Sequence, residues 1–427
     1  MNPSTKAKRI LDQLPEEGLF AGHKWRITPD PFPLDQKFAH ELNEFGRILH
    51  KFYQASDILY RKSLTNKIPG WVAEYLEQGK PKSIIELQRR EIFKKDLPRV
   101  IRPDILLTED GWHITELDSV PGGIGLTAWL NEVYTDTIGG AKGMLDGFAG
   151  IFQTKGNKHI LVSEESETYR PEMNWLANKL GDTFRVQYSN FNDFANGDTI
   201  YRFFELFDLP NIPSSECIFS SAIKKSIKIT APPKSYLEEK MLFALFWNRN
   251  LREFWKRELG SKFYLKLKKV IPQTWIVDPA PIPPHTEIPH LNISHWNQLK
   301  ELSQKNRRLI LKLSGFNEKA WGAKSVRFGA DLPRSKWAES VETAISQFEK
   351  SPWILQEYKK TKSIDHDWFD FNTETLVPMK GRVRLCPYYF AQEKDIKLGG
   401  VLATICPADK KIIHGMSDAI LAPCSVS

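Results

Sequence analysis

The pattern of apolar positions divides the chain into a helical first part and a strand-rich last part. Apolar residues recur every three to four positions in segments 38–64, 68–79 and 83–97, so we predict a mainly helical region over residues 1–98. From Val100 the pattern changes to short alternating runs, VIRPDILLTEDGWHITELDSV, which predict a β-hairpin. A glycine-rich loop then leads into a helix.

The remaining elements predict an α+β protein. Residues 155–235 show strand, helix, strand and strand patterns, which indicate a small α/β unit. The last third alternates several strands with one helix over 334–350. Strands that follow one another without long crossovers usually pair antiparallel, so we expect antiparallel sheets packed on helices. The predicted divisions are 1–98, 99–150, 155–235 and 236–427.

The predicted hairpin supplies the first candidate site. If Glu109, Asp110 and Gly111 form a three-residue turn, the numbers of paired residues sum to 220. Alternating side chains then place all the paired residues on one face. The pairs are Thr108 with Trp112, Leu106 with Ile114, Asp104 with Glu116, and Arg102 with Asp118. Three carboxylates and an arginine would therefore meet at the open end of the hairpin.

Two interpretations of this group are open. Carboxylates that face each other repel, so a cation would stabilise them, and oxygen ligands favour Mg²⁺ or Mn²⁺. Arg102 could then bind a phosphoryl or carboxylate oxygen through its forked guanidinium. Alternatively, the hairpin faces solvent and Arg102 simply pairs with Asp118. A two-residue turn would also shift the register by one residue and separate Asp104 from Glu116.

A second set of candidate residues lies in the last third of the chain. Lys312 alternates with apolar neighbours in a strand, and the loop after it contains Gly315 and Gly322, whose backbone amides could bind phosphates. The end of a later strand carries Gln356, Glu357 and Tyr358, which could bind an adenine edge. Arg382 and Arg384 share one face of the next strand. Each feature alone is also common in ordinary surface strands and loops.

Together these features resemble the ATP-grasp superfamily, and specifically its circularly permuted branch, which includes the glutathionylspermidine synthase-like proteins. The metal signature RPDILLTEDGWHITELD lies upstream, at 102–118, and the lysine, hinge and arginine segments follow in the last third, as the permutation requires. The resemblance spans about residues 100–420. Residues 155–235 would correspond to the pre-ATP-grasp unit, and 99–150 would belong to the nucleotide-binding domain at 236–427.

The resemblance implies a role for each of these residues. Asp104, Glu116 and Asp118 would be metal ligands, and Arg102 would hold the transferred phosphoryl group. Lys312 would contact phosphates, Gly315 to Gly322 would form a lid loop, and Gln356, Glu357 and Tyr358 would form the adenine hinge. One of Arg382 and Arg384 would supply a second arginine. The chain departs from the family at Asp118, where Asn is usual, and its loop has fewer glycines.

Composition and charge limit the partners that we expect. The 427 residues are 41% hydrophobic and 26% charged, which is typical of a folded protein. The net charge is +8, but the basic residues occur in short scattered groups, so we expect solvated faces and no nucleic-acid partner. No apolar run is long enough for a membrane helix or signal peptide, so we expect a cytoplasmic protein without a membrane partner.

The cysteines indicate no metal or disulfide framework. Cys217, Cys386, Cys406 and Cys424 show no paired CxxC spacing, so free thiols are expected. Bifunctional members of the resembled branch carry an N-terminal cysteine amidase. Because no cysteine precedes Cys217, we expect that activity to be missing.

The function implied by the resemblance is an ADP-forming ligase. Such an enzyme uses ATP and Mg²⁺ to phosphorylate the carboxylate of a small molecule, and an amine then attacks the acyl phosphate to give an amide. No Ser or Cys nucleophile is needed, in agreement with the lack of a triad-like motif. The alternative is a non-catalytic ATP-binding module with a regulatory or docking role. Retention of Arg102, Asp104, Glu116 and Lys312 favours the ligase.

Overall fold

A computed structural model describes residues 2–15, 25–152, 154–282, 291, 293–320, 322–393, 395–414 and 418–427. Residue contacts divide the chain into two compact units. The first unit comprises Met1–His50, Lys95–Pro232 and Thr361–Ser427, and the second comprises Lys51–Lys94 and Pro233–Lys360. These units cross the sequence-based divisions, because residues 1–98 and 236–427 are each shared between them.

The structure has the helices and strands listed here in chain order. The helices are α1 (Pro3–Asp12), α2 (Gln36–Leu64), α3 (Trp71–Glu77), α4 (Lys82–Gln88), α5 (Ile124–Val133), α6 (Gly143–Gly150), α7 (Arg170–Leu180), α8 (Ser215–Ile223), α9 (Met241–Trp247), α10 (Arg252–Leu259), α11 (Ser261–Val270) and α12 (Arg334–Ser346). The strands are β1 (Phe32–Leu34), β2 (Val100–Thr108), β3 (Gly111–Asp118), β4 (Lys158–Val162), β5 (Phe184–Tyr188), β6 (Thr199–Phe203), β7 (Lys228–Thr230), β8 (Thr274–Val277), β9 (Leu309–Leu313), β10 (Arg327–Phe328), β11 (Trp353–Glu357), β12 (Ile364–Asp370), β13 (Thr375–Ala391), β14 (Ile396–Pro407) and β15 (Ile420–Val426).

A seven-stranded sheet forms the centre of the first unit. Its order is β1-β15-β14-β13-β2-β3, and β12 also pairs with β13. All pairs are antiparallel except β1 with β15. Along β13, Val383 and Leu385 are buried in the core, while Arg382 and Arg384 occupy the alternate positions. Helices α5 and α6 pack against this sheet.

The first unit also contains a smaller parallel sheet, of order β5-β4-β6-β7. The central strands β4 and β6 are almost fully buried, as expected for parallel strands that are covered on both faces. Helix α7 connects β4 to β5 and packs against β5. The strand and helix patterns predicted between residues 155 and 235 are therefore confirmed.

The second unit contains a four-stranded antiparallel sheet of order β10-β9-β11-β8. Helix α12 packs against β9 through Trp337 and Val341, which are buried in the same apolar cluster as Leu311 and Leu313. Helix α9 has the sequence MLFALFW, and six of its side chains are buried, so it packs in the core. The predicted α+β class, with antiparallel sheets and a small α/β part, is confirmed.

Gly79 allows a close backbone approach in the second unit. Its φ is +71°, and a Cβ atom at this position would overlap the carbonyl oxygen of Lys350. Gly322 has a similar φ of +60° with open space around it. Substituting alanine at each of the two glycines therefore distinguishes the free-energy cost of a left-handed backbone from the cost of a steric clash.

We expect Gly79→Ala to reduce the free energy of unfolding by about 2–4 kcal/mol, because backbone strain and overpacking add. Gly322→Ala, the control, should cost only about 1–2 kcal/mol, for the left-handed backbone alone. Denaturant unfolding of both variants measures the difference. Equal losses would show that the Lys350 contact relaxes without cost.

Candidate functional site

The turn of the β2–β3 hairpin differs from the predicted one, but the residue pairs at the open end of the hairpin are those predicted. Thr108 pairs with Gly111 and Ile105 with Ile114, so the loop has two residues and the predicted three-residue turn is wrong. A bulge next to Asp104 then restores the predicted register, and Asp104 pairs with Glu116 and Arg102 with Asp118. Thr115 is the extra residue, and its hydroxyl donates to the Asp104 carbonyl oxygen at 3.4 Å.

These residues and Arg384 form what we call the arginine–carboxylate cluster: Arg102, Asp104, Glu116, Asp118 and Arg384. Arg102 Nε lies 3.1 Å from Asp104 Oδ1, and one of its terminal nitrogens lies 3.1 Å from Asp118 Oδ2. Arg384 reaches Asp104 Oδ2 at 3.0 Å from β13. Both oxygens of Asp104, which is 4% exposed, are thus ion-paired with guanidinium groups. The alternative pairing of Arg102 with Asp118 is also present.

The charges of the cluster do not cancel. Burial raises the pKa of Asp118, and the Arg102 guanidinium opposes that rise, while Glu116 and Asp104 add to it. Asp104 raises the pKa of Arg384 above its ordinary value, although burial acts in the opposite direction. Two of the three carboxylates, Asp104 and Asp118, are paired with guanidinium groups, and Glu116 adds negative charge near Asp118. The arginines therefore reduce the repulsion among the carboxylates, a role that the sequence pattern suggests for a metal ion.

Cys386 was not identified from the sequence as part of this site. Its thiol donates to Asp104 Oδ1 at 3.5 Å, and burial raises the pKa of Cys386 to about 12. The group therefore stays protonated at neutral pH and acts as a weak hydrogen-bond donor, not as a nucleophile. Its position two residues after Arg384 on β13 is the only sequence signal, because alternate strand residues share a face.

The carboxylates are not arranged as a metal site. Over the residues that the structure describes, no three His, Cys, Asp or Glu side chains lie close enough together to hold a metal ion. Their oxygen atoms suit Mg²⁺ chemically, but Asp104 and Asp118 are engaged by arginine. The role of Asp104, Glu116 and Asp118 as metal ligands stays a prediction.

The two arginines predicted as alternatives differ in their surroundings. Arg384 contacts Asp104, whereas Arg382 donates to the backbone carbonyl of Lys410 at 3.3 Å. Both lie on β13, two residues apart. The structure therefore brings Arg384, and not Arg382, to the arginine–carboxylate cluster.

The loop between β3 and α5 borders the cluster. The Gly122 carbonyl oxygen accepts hydrogen bonds from Arg102 at 3.2 Å and from the Tyr388 hydroxyl at 2.7 Å. Gly123 has a φ of +88°, and its N–H donates to Glu172 Oε1 at 2.7 Å. Glu172 thus places a carboxylate at the N-terminus of α5.

Glu172 is a buried acid that sequence reasoning missed. Its second oxygen accepts from the Leu126 N–H at 3.0 Å, and the residue has no exposed surface. Burial raises the pKa of Glu172 to about 7, although the two backbone hydrogen bonds oppose the rise. No motif marks this residue, because the loop that it caps lies about 50 positions earlier in the chain.

In the second unit, Lys312 and Gln356 come together on adjacent strands. Lys312 Nζ donates to Gln356 Oε1 at 2.9 Å, and Gln356 Nε2 donates to Thr274 Oγ1 at 3.2 Å. Gln356 is 1% exposed, so its side chain is committed to this buried network. Lys312 is 6% exposed and is not an ordinary surface lysine.

The backbone at the predicted adenine hinge is also engaged. The Glu357 N–H donates to the Gln273 carbonyl at 2.8 Å, and the Tyr358 N–H donates to the Arg308 carbonyl at 3.1 Å. Adenine recognition by these donors would replace existing hydrogen bonds. The hinge role of Gln356, Glu357 and Tyr358 stays a prediction.

The loop after Lys312 is anchored at its beginning by a buried ion pair. Lys80 Nζ lies 2.6 Å from Glu239 Oε1, and Glu239 accepts a hydrogen bond from the Ser314 hydroxyl. Gly315 lies so close to this carboxylate that a Cβ atom would be 2.9 Å from the Glu239 carboxyl carbon. Lys80 and Glu239 were missed because they are far from the loop in sequence.

A second contact holds the loop near its other end. Lys240 Nζ donates to the Ala320 carbonyl oxygen at 3.0 Å, and the Lys240 N–H donates to the Ser314 carbonyl at 2.8 Å. Lys240 therefore contacts both ends of the segment from Ser314 to Ala320. Trp321 lies outside the described residues. The lid role predicted for Gly315 to Gly322 is untested by these contacts.

Comparisons with known proteins show the fold. No family model matches the chain, and no curated protein matches it significantly. A solved glutathione synthetase-like effector from Globodera pallida, in its apo form, is similar over 100% of this chain and 98% of its own, with a TM-score of 0.54 and 11% identity. A second solved structure is a proposed gamma-glutamylcysteine synthetase from Methylobacillus flagellatus KT, with 12% identity over 81% of this chain and 84% of its own. Its TM-score of 0.38 is too low to support an inference about the fold.

The ion pairs of Asp104 predict a difference between two conservative substitutions. Asp104→Asn should reduce the free energy of unfolding by about 3 kcal/mol, because it leaves two buried guanidinium groups short of a partner. Glu116→Gln, the control, should cost about 1 kcal/mol or less, because it reduces the carboxylate excess. Denaturant unfolding compares them. Equal stability of the two variants would contradict the assigned ion pairs.

Glu172 should make stability depend on pH. Its pKa is higher in the folded protein than in the unfolded chain, so its contribution is fully present below about pH 4.5 and is lost as pH rises through about 7. Melting temperatures of the wild type and Glu172→Gln should therefore diverge between pH 5 and pH 8, with the wild type losing more. Glu164→Gln changes an exposed glutamate in the same region and is the control. Parallel curves for Glu172→Gln and wild type would contradict the assignment.

Proposed function

We propose that the protein is an ATP-dependent, ADP-forming ligase that joins a carboxylate to an amine through an acyl phosphate. The arginine–carboxylate cluster is the observation that carries this proposal. It places Arg102 and Arg384 from different strands around one buried carboxylate. The shared fold with a protein named for glutathione synthetase supports a ligase over other enzyme classes.

The cluster has hydrogen-bonding capacity left for a substrate. Arg384 Nε is buried and makes no hydrogen bond within the described residues, whereas Arg102 Nε lies in the ion pair with Asp104. Buried donors are nearly always satisfied in folded proteins, so this donor suits a ligand oxygen. A phosphoryl or acyl-phosphate oxygen is an acceptor of the right charge.

The proposed reaction needs charge stabilisation more than covalent catalysis. A carboxylate oxygen of the acid attacks the γ-phosphorus of ATP, the bond to the β-phosphate oxygen breaks, and ADP leaves. The amine nitrogen then attacks the acyl carbon, loses a proton, and phosphate leaves. Arg102 and Arg384 would stabilise the negative charge that develops on the oxygens of the transferred phosphoryl group. No Ser or Cys nucleophile takes part.

We further propose that the fold is a circularly permuted ATP-grasp fold of the glutathionylspermidine synthase-like branch. Under this proposal Lys312 contacts phosphates, the Gly315 to Gly322 loop covers them, and Gln356 to Tyr358 bind adenine. Metal binding by Asp104, Glu116 and Asp118 would require Asp104 and Asp118 to leave the arginines, and Mg²⁺ or Mn²⁺ would supply neutralisation of phosphate charge when bound. Because Asp104 and Asp118 are engaged by arginine, no step is assigned to a metal.

A non-catalytic ATP-binding module is the second candidate. It is favoured by one specific observation: arginine already pairs with Asp104 and Asp118, so the charges are balanced in part without a metal ion. A protein of this kind would bind ATP and melt at a higher temperature with it, yet release no ADP.

The experiment that separates the two is ADP release with Mg²⁺, ATP and pools of small carboxylic acids and amines. Arg384→Lys should reduce the rate by about 10²-fold or more, because an ammonium group cannot replace the forked guanidinium. Arg382→Lys, two residues away on the same strand, is the matched control and should keep most of the activity. Wild-type protein that binds ATP but releases no ADP above background would favour the binding module.

A further inference from the structure

Glu172 binds the backbone at the start of α5 with both of its carboxylate oxygens. Oε1 accepts from the Gly123 N–H at 2.7 Å, and Oε2 accepts from the Leu126 N–H at 3.0 Å. Gly123, the residue before α5, has a left-handed backbone and no side chain that could cap the helix. Glu172 on α7 therefore supplies the cap that a local Ser, Thr or Asp usually supplies.

The tight shape of this loop explains why the cap comes from another helix. A Cβ atom at position 123 would lie 2.5 Å from the Tyr388 hydroxyl oxygen, and one at position 122 would lie 2.4 Å from the Tyr169 ring. Burial raises the pKa of Glu172 to about 7, so an ionised Glu172 reduces stability at neutral pH. Buried acids with such a cost are common at functional sites.

The capped loop also contacts Arg102. The Gly122 carbonyl oxygen accepts from Arg102 Nη1 at 3.2 Å and from the Tyr388 hydroxyl at 2.7 Å. This carbonyl and the Gly123 N–H belong to the same planar peptide group, so holding the N–H fixes the direction of the carbonyl. Glu172 and Arg102 therefore bind the two polar ends of one rigid group.

Three contacts set the direction of the Arg102 guanidinium. Nε lies 3.1 Å from Asp104 Oδ1, Nη2 lies 3.1 Å from Asp118 Oδ2, and Nη1 donates to the Gly122 carbonyl. Each terminal nitrogen of an arginine carries a second N–H, which these contacts do not use. The Arg102 side chain is 15% exposed, so it is not sealed from a ligand.

We infer that Glu172 is a positioning residue for Arg102 and that it acts through the Gly122–Gly123 peptide group. The inference rests on the proposed function, in which Arg102 binds the transferred phosphoryl group. Glu172 has no exposed surface, so it touches no substrate itself. Donors that are already oriented stabilise developing charge best, so a rotation of this peptide group would lower the rate.

The first test is ADP release with Mg²⁺, ATP and pools of small carboxylic acids and amines. Glu172→Gln keeps the length of the side chain but places an amide N–H against one of the two backbone N–H groups. We expect kcat to fall about tenfold and the KM for ATP to stay within about twofold. In Arg102→Lys protein the same change should reduce kcat by no more than about twofold, because Glu172 acts through the arginine.

Asp198→Asn is the matched control. Asp198 is 2% exposed and also accepts two backbone N–H groups, from Asn157 at 2.8 Å and from Ala195 at 2.9 Å. It lies just before β6, at the amino edge of the parallel sheet, whereas Glu172 lies in the first turn of α7. Asp198→Asn should therefore keep kcat within about twofold of wild type, even if it lowers the melting temperature.

The second test needs no activity. Melting temperatures are compared for wild type, Glu172→Gln, Arg102→Lys and the variant with both changes. Because both changes disturb the same peptide group, the combined loss should be smaller than the sum of the single losses by about 2 °C or more. Asp198→Asn combined with Arg102→Lys should give the sum of the single losses.

The two tests separate the inference from the proposed function. Additive melting losses for Glu172→Gln and Arg102→Lys, an unchanged kcat in Glu172→Gln, or an equal fall of kcat in Asp198→Asn would each overturn the inference. A wild type that releases no ADP would contradict the proposed function. The melting temperatures would then still decide whether Glu172 acts on Arg102.

Discussion

The buried carboxylate of Asp104 is the constraint on which the first unit's candidate site depends. Desolvating this charge is expensive unless it is paired, and Arg102 and Arg384 supply the pairs from β2 and β13. The Arg384 contact also joins the hairpin to the long strand β13, where Arg384 lies opposite Leu106 in the register. A shift of one residue in either strand would turn one partner away. Strand register and charge neutralisation are therefore one requirement.

The hairpin shows how a correct prediction can follow from an incorrect local argument. The predicted pairing of Asp104 with Glu116 depends on a three-residue turn, whereas the turn has two residues and a bulge at Thr115 compensates for the difference. The bulge could not be predicted, because Thr115 is a β-branched residue that fits a regular strand and no glycine marks the site. The alternation of charged and apolar residues near the open end was the reliable signal. The turn itself was not, since Glu109, Asp110 and Gly111 suit more than one turn.

Long-range partners limited the prediction in the second unit. Strands β9 and β11 can be recognised from their apolar runs. The periodicity of a strand does not, however, show which other strand it pairs with. Lys312 and Gln356 meet because these strands pair antiparallel, with Ile354 opposite Lys312. Lys80 and Glu239 could not be assigned at all, because a buried ion pair between distant segments leaves no local pattern. Local periodicity therefore predicted elements, and tertiary pairing determined which polar side chains meet.

The Nε donor of Arg384 bears most directly on the choice between the proposed ligase and the binding module. A cluster that serves only to stabilise a fold would be expected to satisfy its buried hydrogen-bonding groups, because each unsatisfied one costs about 1–3 kcal/mol. Here Arg102 Nε lies in the ion pair with Asp104, and Arg384 Nε makes no hydrogen bond within the described residues. In the proposed ligase such a cost is understandable, because the donor would bind an anionic group that arrives during the reaction. Under the proposed function the arginines would act both as counter-ions to the carboxylates and as preorganised donors, and the second role is the one that a purely structural cluster would lack.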